Sequence, residues 1–157
     1  MDFELGNSSD LINVLNSGGL TLNGGSVSLF GTGGVNGLRQ AGTYTLFDYN
    51  GALNGSVSNL TVANPVVGKQ YTFTNDTANT LVQLTVVDLR SEWTGAAGDN
   101  KWTTAGNWDG VVPNAAGYIA RFGTIPGSPT NVQVNGPKTV GAITFDNFNS
   151  YTISGGA

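Results

Sequence analysis

Residues 130–156, "TNVQVNGPKTVGAITFDNFNSYTISGG", alternate apolar and polar side chains in short runs of strand period, broken by Asn-Gly and Asp-Asn corners. Val132, Val134, Val140, Ile143, Phe145, Tyr151 and Ile153 fall where they would fill one inward stack. The corners at Asn135-Gly136 and Asp146-Asn147 supply residues that tolerate the left-handed backbone a sharp bend requires. Runs this short and regular fit two all-β architectures, a solenoid of stacked coils in parallel sheets or an antiparallel β-sandwich. The narrow corners favour the solenoid.

The same alternation extends back to the start of the chain. "LINVL", "LTLNGGSVSLF", "TYTLFDY", "VSNLTVA", "YTFTN" and "LVQLTVV" have strand period and are separated by turns such as "NSGG", "GTGGVNG" and "NGALNG". "ANTLVQL" is the one place where a short helix competes, and the β-branched residues around it favour a strand. The 157 residues suffice for one domain with a sizeable core or for two small ones.

Composition removes most chemistry. The chain has neither cysteine nor histidine, so disulfides, thiolate nucleophiles, Ser-His-Asp catalysis and ordinary zinc sites are excluded. Charged residues are 10% of the chain, against roughly a quarter in an average globular domain. Net charge is −4, and Arg39, Lys69, Arg90, Lys101, Arg121 and Lys138 are scattered singly, so there is no basic stripe for nucleic acid. No apolar run approaches the roughly 20 residues of a membrane-spanning helix. "MDFELGNSSD" has acidic residues where a secretory signal carries positive ones, so any signal or anchor is expected outside this segment. The N-x-S/T sequons at Asn7, Asn54, Asn59 and Asn75 add little in a chain rich in Asn, Ser and Thr.

Residues 91–114, "SEWTGAAGDNKWTTAGNWDGVVPN", hold all three tryptophans, Trp93, Trp102 and Trp108, in a run of turn formers. Their indoles serve either as a stacking platform for sugar rings or as an apolar plug where two β regions meet. The plug is favoured, because no other large side chain is present to order so turn-rich a segment. Asp99, Asn100, Asn107 and Asp109, and more weakly "TNDTAN" around Asp76, offer oxygens of the kind Ca²⁺ takes. Their spacing fits no EF-hand loop, and Asx side chains also close their own turns. We therefore expect no metal and no cofactor.

An enzyme is not expected. Paired carboxylates for glycoside hydrolysis would have to come from Asp2, Glu4, Asp10, Asp48, Asp76, Asp88, Glu92, Asp99, Asp109 or Asp146, most of them in or beside turns. Ice binding through Thr-x-Thr elements in "TYTLFDY" and "YTFTNDT" is weaker still, because they do not recur at a constant coil period.

"WTGAAGDNKWTTAGNWDGVVPNAAGYIARFG", followed by "VNGPKTVGAITFDNFNSYTISGG", resembles passenger segments carrying autotransporter-associated β-strand repeats. The match comprises the W-x-G at Trp93, the G-D-x-x-W ending at Trp102, the N-W at Asn107 and Trp108, Pro113, Phe122 and the strands after them. "DLINVLNSGGLTLNGGSVSLF" and "GTYTLFDYNGAL" are similar to the last coils of such a passenger. The resemblance implies a right-handed parallel β-helix in a large secreted or surface-displayed bacterial protein, and it brings no catalytic residues. The expected organisation is end coils of one solenoid over 1–90, a Trp/Gly-rich connecting or capping segment over 91–117, and the first coils of a following solenoid over 118–157. The expected role is that of a non-enzymatic extracellular spacer, with head-to-tail self-association as the expected partnership. The alternative is an adhesin or carbohydrate-binding module that takes a glycan on Trp93, Trp102 and Trp108.

Overall fold

The structure, a computed structural model, describes residues 1–123, 131–148 and 150–156. Thr130 and Asn149, within the stretch that opened the sequence reading, lie outside the described residues. Secondary structure is all β, with two short 3-10 turns and no α-helix among the described residues. Among the described residues no helix is long and apolar enough to cross a membrane. The chain divides into two compact units, Met1–Val87 and Asp88–Ala157. The segment 91–117, expected as a connecting or capping segment, lies within the second unit.

The first unit contains β1 (Asp2–Glu4), β2 (Ile12–Val14), β3 (Leu20–Leu22), β4 (Gly25–Phe30), β5 (Gly42–Tyr49), β6 (Leu53–Gly55), β7 (Leu60–Val62) and β8 (Lys69–Asp76), and β9 (Leu81–Asp88) runs one residue past its boundary. β4 lies between β1 and β7, parallel to both. β2 is parallel to β5 and β3 to β6, whereas β9 pairs with β5 antiparallel and has β8 at its other side. Every parallel partner is separated in sequence by intervening strands, so the chain returns to the same sheet after visiting others. An antiparallel sandwich, the alternative expected from the sequence, does not fit, because β5–β9 is the one antiparallel pair among those with a defined register.

Alternation explains which side chains fill this unit. In "GSVSLF", Val27 and Leu29 are buried while Gly25 and Ser26 are exposed. "TYTLFDY" departs from strict period: Tyr44, Leu46, Phe47 and Tyr49 are all buried. A register shift between Thr45 and Phe47 inserts one extra residue and flips the phase, which leaves Asp48 outside instead of burying a carboxylate. With Phe3, Leu5, Leu22, Leu60, Val82, Leu84 and Val86 these residues form one core. In "VSNLTVA" only Leu60–Val62 is a strand, because Val57–Asn59 forms a 3-10 turn with Ser56 as its cap. "ANTLVQL" leads into β9 and forms no helix.

The second unit contains β10 (Arg90–Glu92), β11 (Ile119–Gly123), β12 (Asn131–Asn135), β13 (Ala142–Asp146) and β14 (Thr152–Gly156). β11 lies between β10 and β13, all parallel, and β12 is parallel to β14. Its core holds Trp93, Trp102, Trp108, Ala120, Phe122 and Val132, with Val134, Val140, Tyr151 and Ile153 half-buried against it.

Ile143 and Phe145 depart from the expected inward stack, being 47% and 55% exposed. They stand in register with the buried Ala120 and Phe122, so they face the predicted way. β13 is the last strand of its sheet, and no described strand covers that side. The expected corners also divide: Gly136 has φ +72°, whereas among non-glycine described residues only Thr80 and Asn100 have positive φ, so Asn147 does not.

Candidate functional site

The tryptophan segment is held by three backbone connections. Trp93 follows β10 and bridges Trp108 antiparallel, with Thr94 N–H donating to the Asn107 carbonyl at 2.7 Å and Asp109 N–H to that of Glu92 at 2.9 Å. Trp93 N–H donates to the Arg121 carbonyl at 2.8 Å, tying the segment to β11. Lys101 bridges Gln133 of β12 in parallel, and Trp102 N–H donates to the Gln133 carbonyl at 2.9 Å. A loop of turn formers thus behaves as part of the sheet framework.

These connections point all three indoles inward. Trp93, Trp102 and Trp108 are 0%, 1% and 5% exposed. Trp93 and Trp108 meet edge to face at 5.2 Å, Trp102 and Trp108 at 4.9 Å, and Phe122 lies within 6.3 Å of each. Aromatic pairs in such orientations add about 0.5–1.5 kcal/mol beyond the area they bury. Trp102 Nε1–H donates to the Pro113 carbonyl at 2.9 Å and Trp108 Nε1–H to the Trp102 carbonyl at 2.8 Å. Trp93 Nε1–H is buried with no acceptor among the described residues. A sugar ring needs an exposed indole face, and Trp93, Trp102 and Trp108, the residues of the alternative glycan reading, are instead buried in the core of their own unit.

Asn107, Asp99 and Asp109 are hydrogen-bonded within the unit, whereas Asn100 Oδ1 is buried with no partner among the described residues. Asn107 is fully buried. Its amide donates to Asp99 Oδ1 at 2.7 Å and to the Lys101 carbonyl at 2.9 Å, and its Oδ1 accepts from Ala97 N–H at 2.9 Å. Asp99 also accepts from Thr104 Oγ1 at 2.7 Å and from Lys101 N–H at 3.1 Å. The Thr104 hydroxyl above all, then the Lys101 amide, hold the Asp99 carboxyl below its ordinary pKa. Asp109 Oδ1 accepts from Glu92 N–H at 2.6 Å. Asp76, in the other proposed oxygen site, accepts from Ala78 N–H, Asn79 N–H and the Asn79 amide, and the last bond is the main reason its carboxyl is shifted down. Asp99 and Asp76 thus close local turns, while Asp109 and Asn107 bond residues 17 and 10 positions away. Among the described residues no group of three or more His, Cys, Asp or Glu is placed to hold a metal ion.

One charged arrangement was not visible in the sequence. Arg121 on β11 donates to Glu92 on β10 at 2.8 Å and to Asp146 on β13 at 2.7 Å, lacing three strands together. The bond to Asp146 and the charge of Glu92 raise the guanidinium pKa further. The nearest sequence signal was an acid or base at outward-facing positions of strands far apart in the chain. The Thr-x-Thr elements fall on β5 and β8, which are separated by β9. Thr43 faces Thr85 at 3.3 Å, but Thr45 stands opposite Gln83, so the Thr–Thr pair does not repeat along the β5–β9 ladder.

Compared with protein-family models, with curated proteins and with solved structures, the chain matches none of them.

Proposed function

We infer that the chain is a non-enzymatic structural spacer, built of β-solenoid coils and belonging to a secreted or cell-surface bacterial protein. The observation that carries this reading is the parallel return of strands to sheets already begun: β1, β4 and β7 in one unit, β10, β11 and β13 in the other. Stacking of that kind satisfies backbone hydrogen bonds along one axis and lets length grow by adding coils. In the first unit the series ends at an antiparallel step from β5 to β9, which fits the end of a solenoid. The secreted setting rests on the resemblance to autotransporter-associated repeats. Neutral polar side chains, with charged residues at only 10%, suit an inert outer surface.

The test is single-molecule pulling of the chain between two handles. A spacer should resist until two distinct unfolding events occur, one for each compact unit. A chain that extends smoothly at low force, without events, would remove the mechanical role.

A further inference from the structure

We propose that Asn135 is a site of self-modification, at which the neighbouring backbone converts the asparagine to isoaspartate or aspartate with Lys138 promoting the step. The reaction is deamidation. The Gly136 backbone nitrogen attacks Cγ of Asn135, the new C–N bond closes a five-membered succinimide, and the Cγ–Nδ2 bond breaks. The proton lost by the Gly136 nitrogen leaves with the side-chain nitrogen as ammonia. Water then opens the ring at either carbonyl, so one water is consumed and one ammonia released. Glycine after the asparagine lets the ring close, because no Cβ crowds the attacking nitrogen.

Asn-Gly also occurs at Asn23, Asn36, Asn50 and Asn54, so the dipeptide alone selects no site. The surroundings of Asn135 do. It ends β12, and Gly136 leaves the strand at φ +72°, where an added Cβ would meet nothing within 4 Å, so the ring and its water have room. Asn135 Oδ1 is buried with no partner among the described residues, so no bond to that oxygen holds the amide in place. The Lys138 ammonium donates to the carbonyl oxygens of Asn135, Gly136 and Pro137. The first of these oxygens belongs to the same peptide group as the Gly136 N–H. When that nitrogen gives up its proton, negative charge spreads onto the Asn135 oxygen, and a cation bonded there stabilises it as in any charge-assisted hydrogen bond. The lysine clasp thus raises the share of Gly136 nitrogen able to attack. At Asn36 the carbonyl accepts instead from the neutral Gly31 N–H. Isoaspartate adds a methylene to the main chain where Asn135 stands in register with Gly156 of β14, so the modification alters the end of that strand pair.

The test incubates the whole folded chain at mildly alkaline pH, samples it over days, and reads each Asn-Gly site by digestion and mass spectrometry. Fragmentation separates isoaspartate from aspartate. Conversion at Asn135 is expected, and Lys138→Met, which keeps an apolar stem and removes the charge, should slow it about 2- to 5-fold, the upper range of an exposed charge pair. Lys138→Gln should do the same, and neither variant should change the rate at Asn36. In urea, where the clasp is lost, wild type and both variants should convert Asn135 equally fast. Tryptophan emission checks that each variant is folded before incubation. No conversion at Asn135 in the folded chain, an unchanged rate in the folded variants, or a difference that persists in urea overturns the proposal.

Discussion

Replacing Asn107 tests whether the tryptophan loop is held by its buried amide. Asn107→Ala removes three hydrogen bonds, to Ala97 N–H, the Lys101 carbonyl and Asp99 Oδ1, the last of them to a carboxylate. A neutral bond contributes about 0.5–1.5 kcal/mol and one to a charged group about 1.5–3 kcal/mol. Ala97, Asp99 and Lys101 are exposed residues, so water can restore part of what is lost, which lowers the expected cost to about 2–4 kcal/mol. All three tryptophans lie in the second unit, so their emission follows that unit alone during urea unfolding. At a slope of about 1 kcal/mol per molar urea for so small a unit, the midpoint should fall by ~2–4 M. A loss under about 0.5 kcal/mol, the scale of an ordinary surface substitution, would refute the reasoning.

Asn107→Asp sharpens the same test. It keeps the acceptor for Ala97 but turns the donor toward Asp99 into a second carboxylate oxygen. Two such groups at hydrogen-bond distance cannot both ionise freely, so one folded-state pKa rises. Stability from a group so shifted is present at low pH and lost as pH rises through the folded pKa. The deficit of Asn107→Asp against wild type should therefore shrink on acidification. An unchanged deficit would show that Asp99 does not face position 107.

In the native chain Asp99 has the opposite sign: its lowered pKa adds stability above the ordinary carboxylate range that is lost as pH falls through the folded value, and Asp99→Asn should flatten this acid limb in tryptophan-monitored unfolding. Trp102→Ala should cost about 3–5 kcal/mol by the same readout, as for other large aromatics removed from a core; a loss below 1 kcal/mol would show that the ring is not held as described. Gly19→Ala should destabilise the first unit, because φ is +84° and a Cβ there would overlap the Ala52 backbone carbonyl; faster amide exchange at Leu20–Leu22 reports it, and unchanged exchange would contradict the packing of that corner.

Strand positions were legible where each side chain had one apolar or polar neighbour in turn, as in "GSVSLF". They were less so where tertiary demands broke the period. The bulge in "TYTLFDY" is an example: nothing local distinguishes Leu46-Phe47 from an error of phase until β9 supplies the register. β10 was missed because Arg90 and Glu92 flank Ser91, and a three-residue strand whose one buried member is a serine carries no hydrophobic signal. The burial of the indoles followed from their size in a loop with little else to bury. The importance of Asn107 did not, since an asparagine among turn formers looks like another turn former until its amide is seen inside the loop.

Ile143 and Phe145 mark the limit of periodicity as evidence. Alternation states which face of a strand a residue occupies, and both face inward beside Ala120 and Phe122 as expected. Burial needs a second condition, a neighbour on the far side, and that neighbour is set by sheet order. On β11 the neighbour exists, and Phe122 is fully buried; beyond β13 no described strand lies, and Phe145 is more than half exposed with the same facing. The difference between the two phenylalanines is thus a property of strand position within the sheet of described strands.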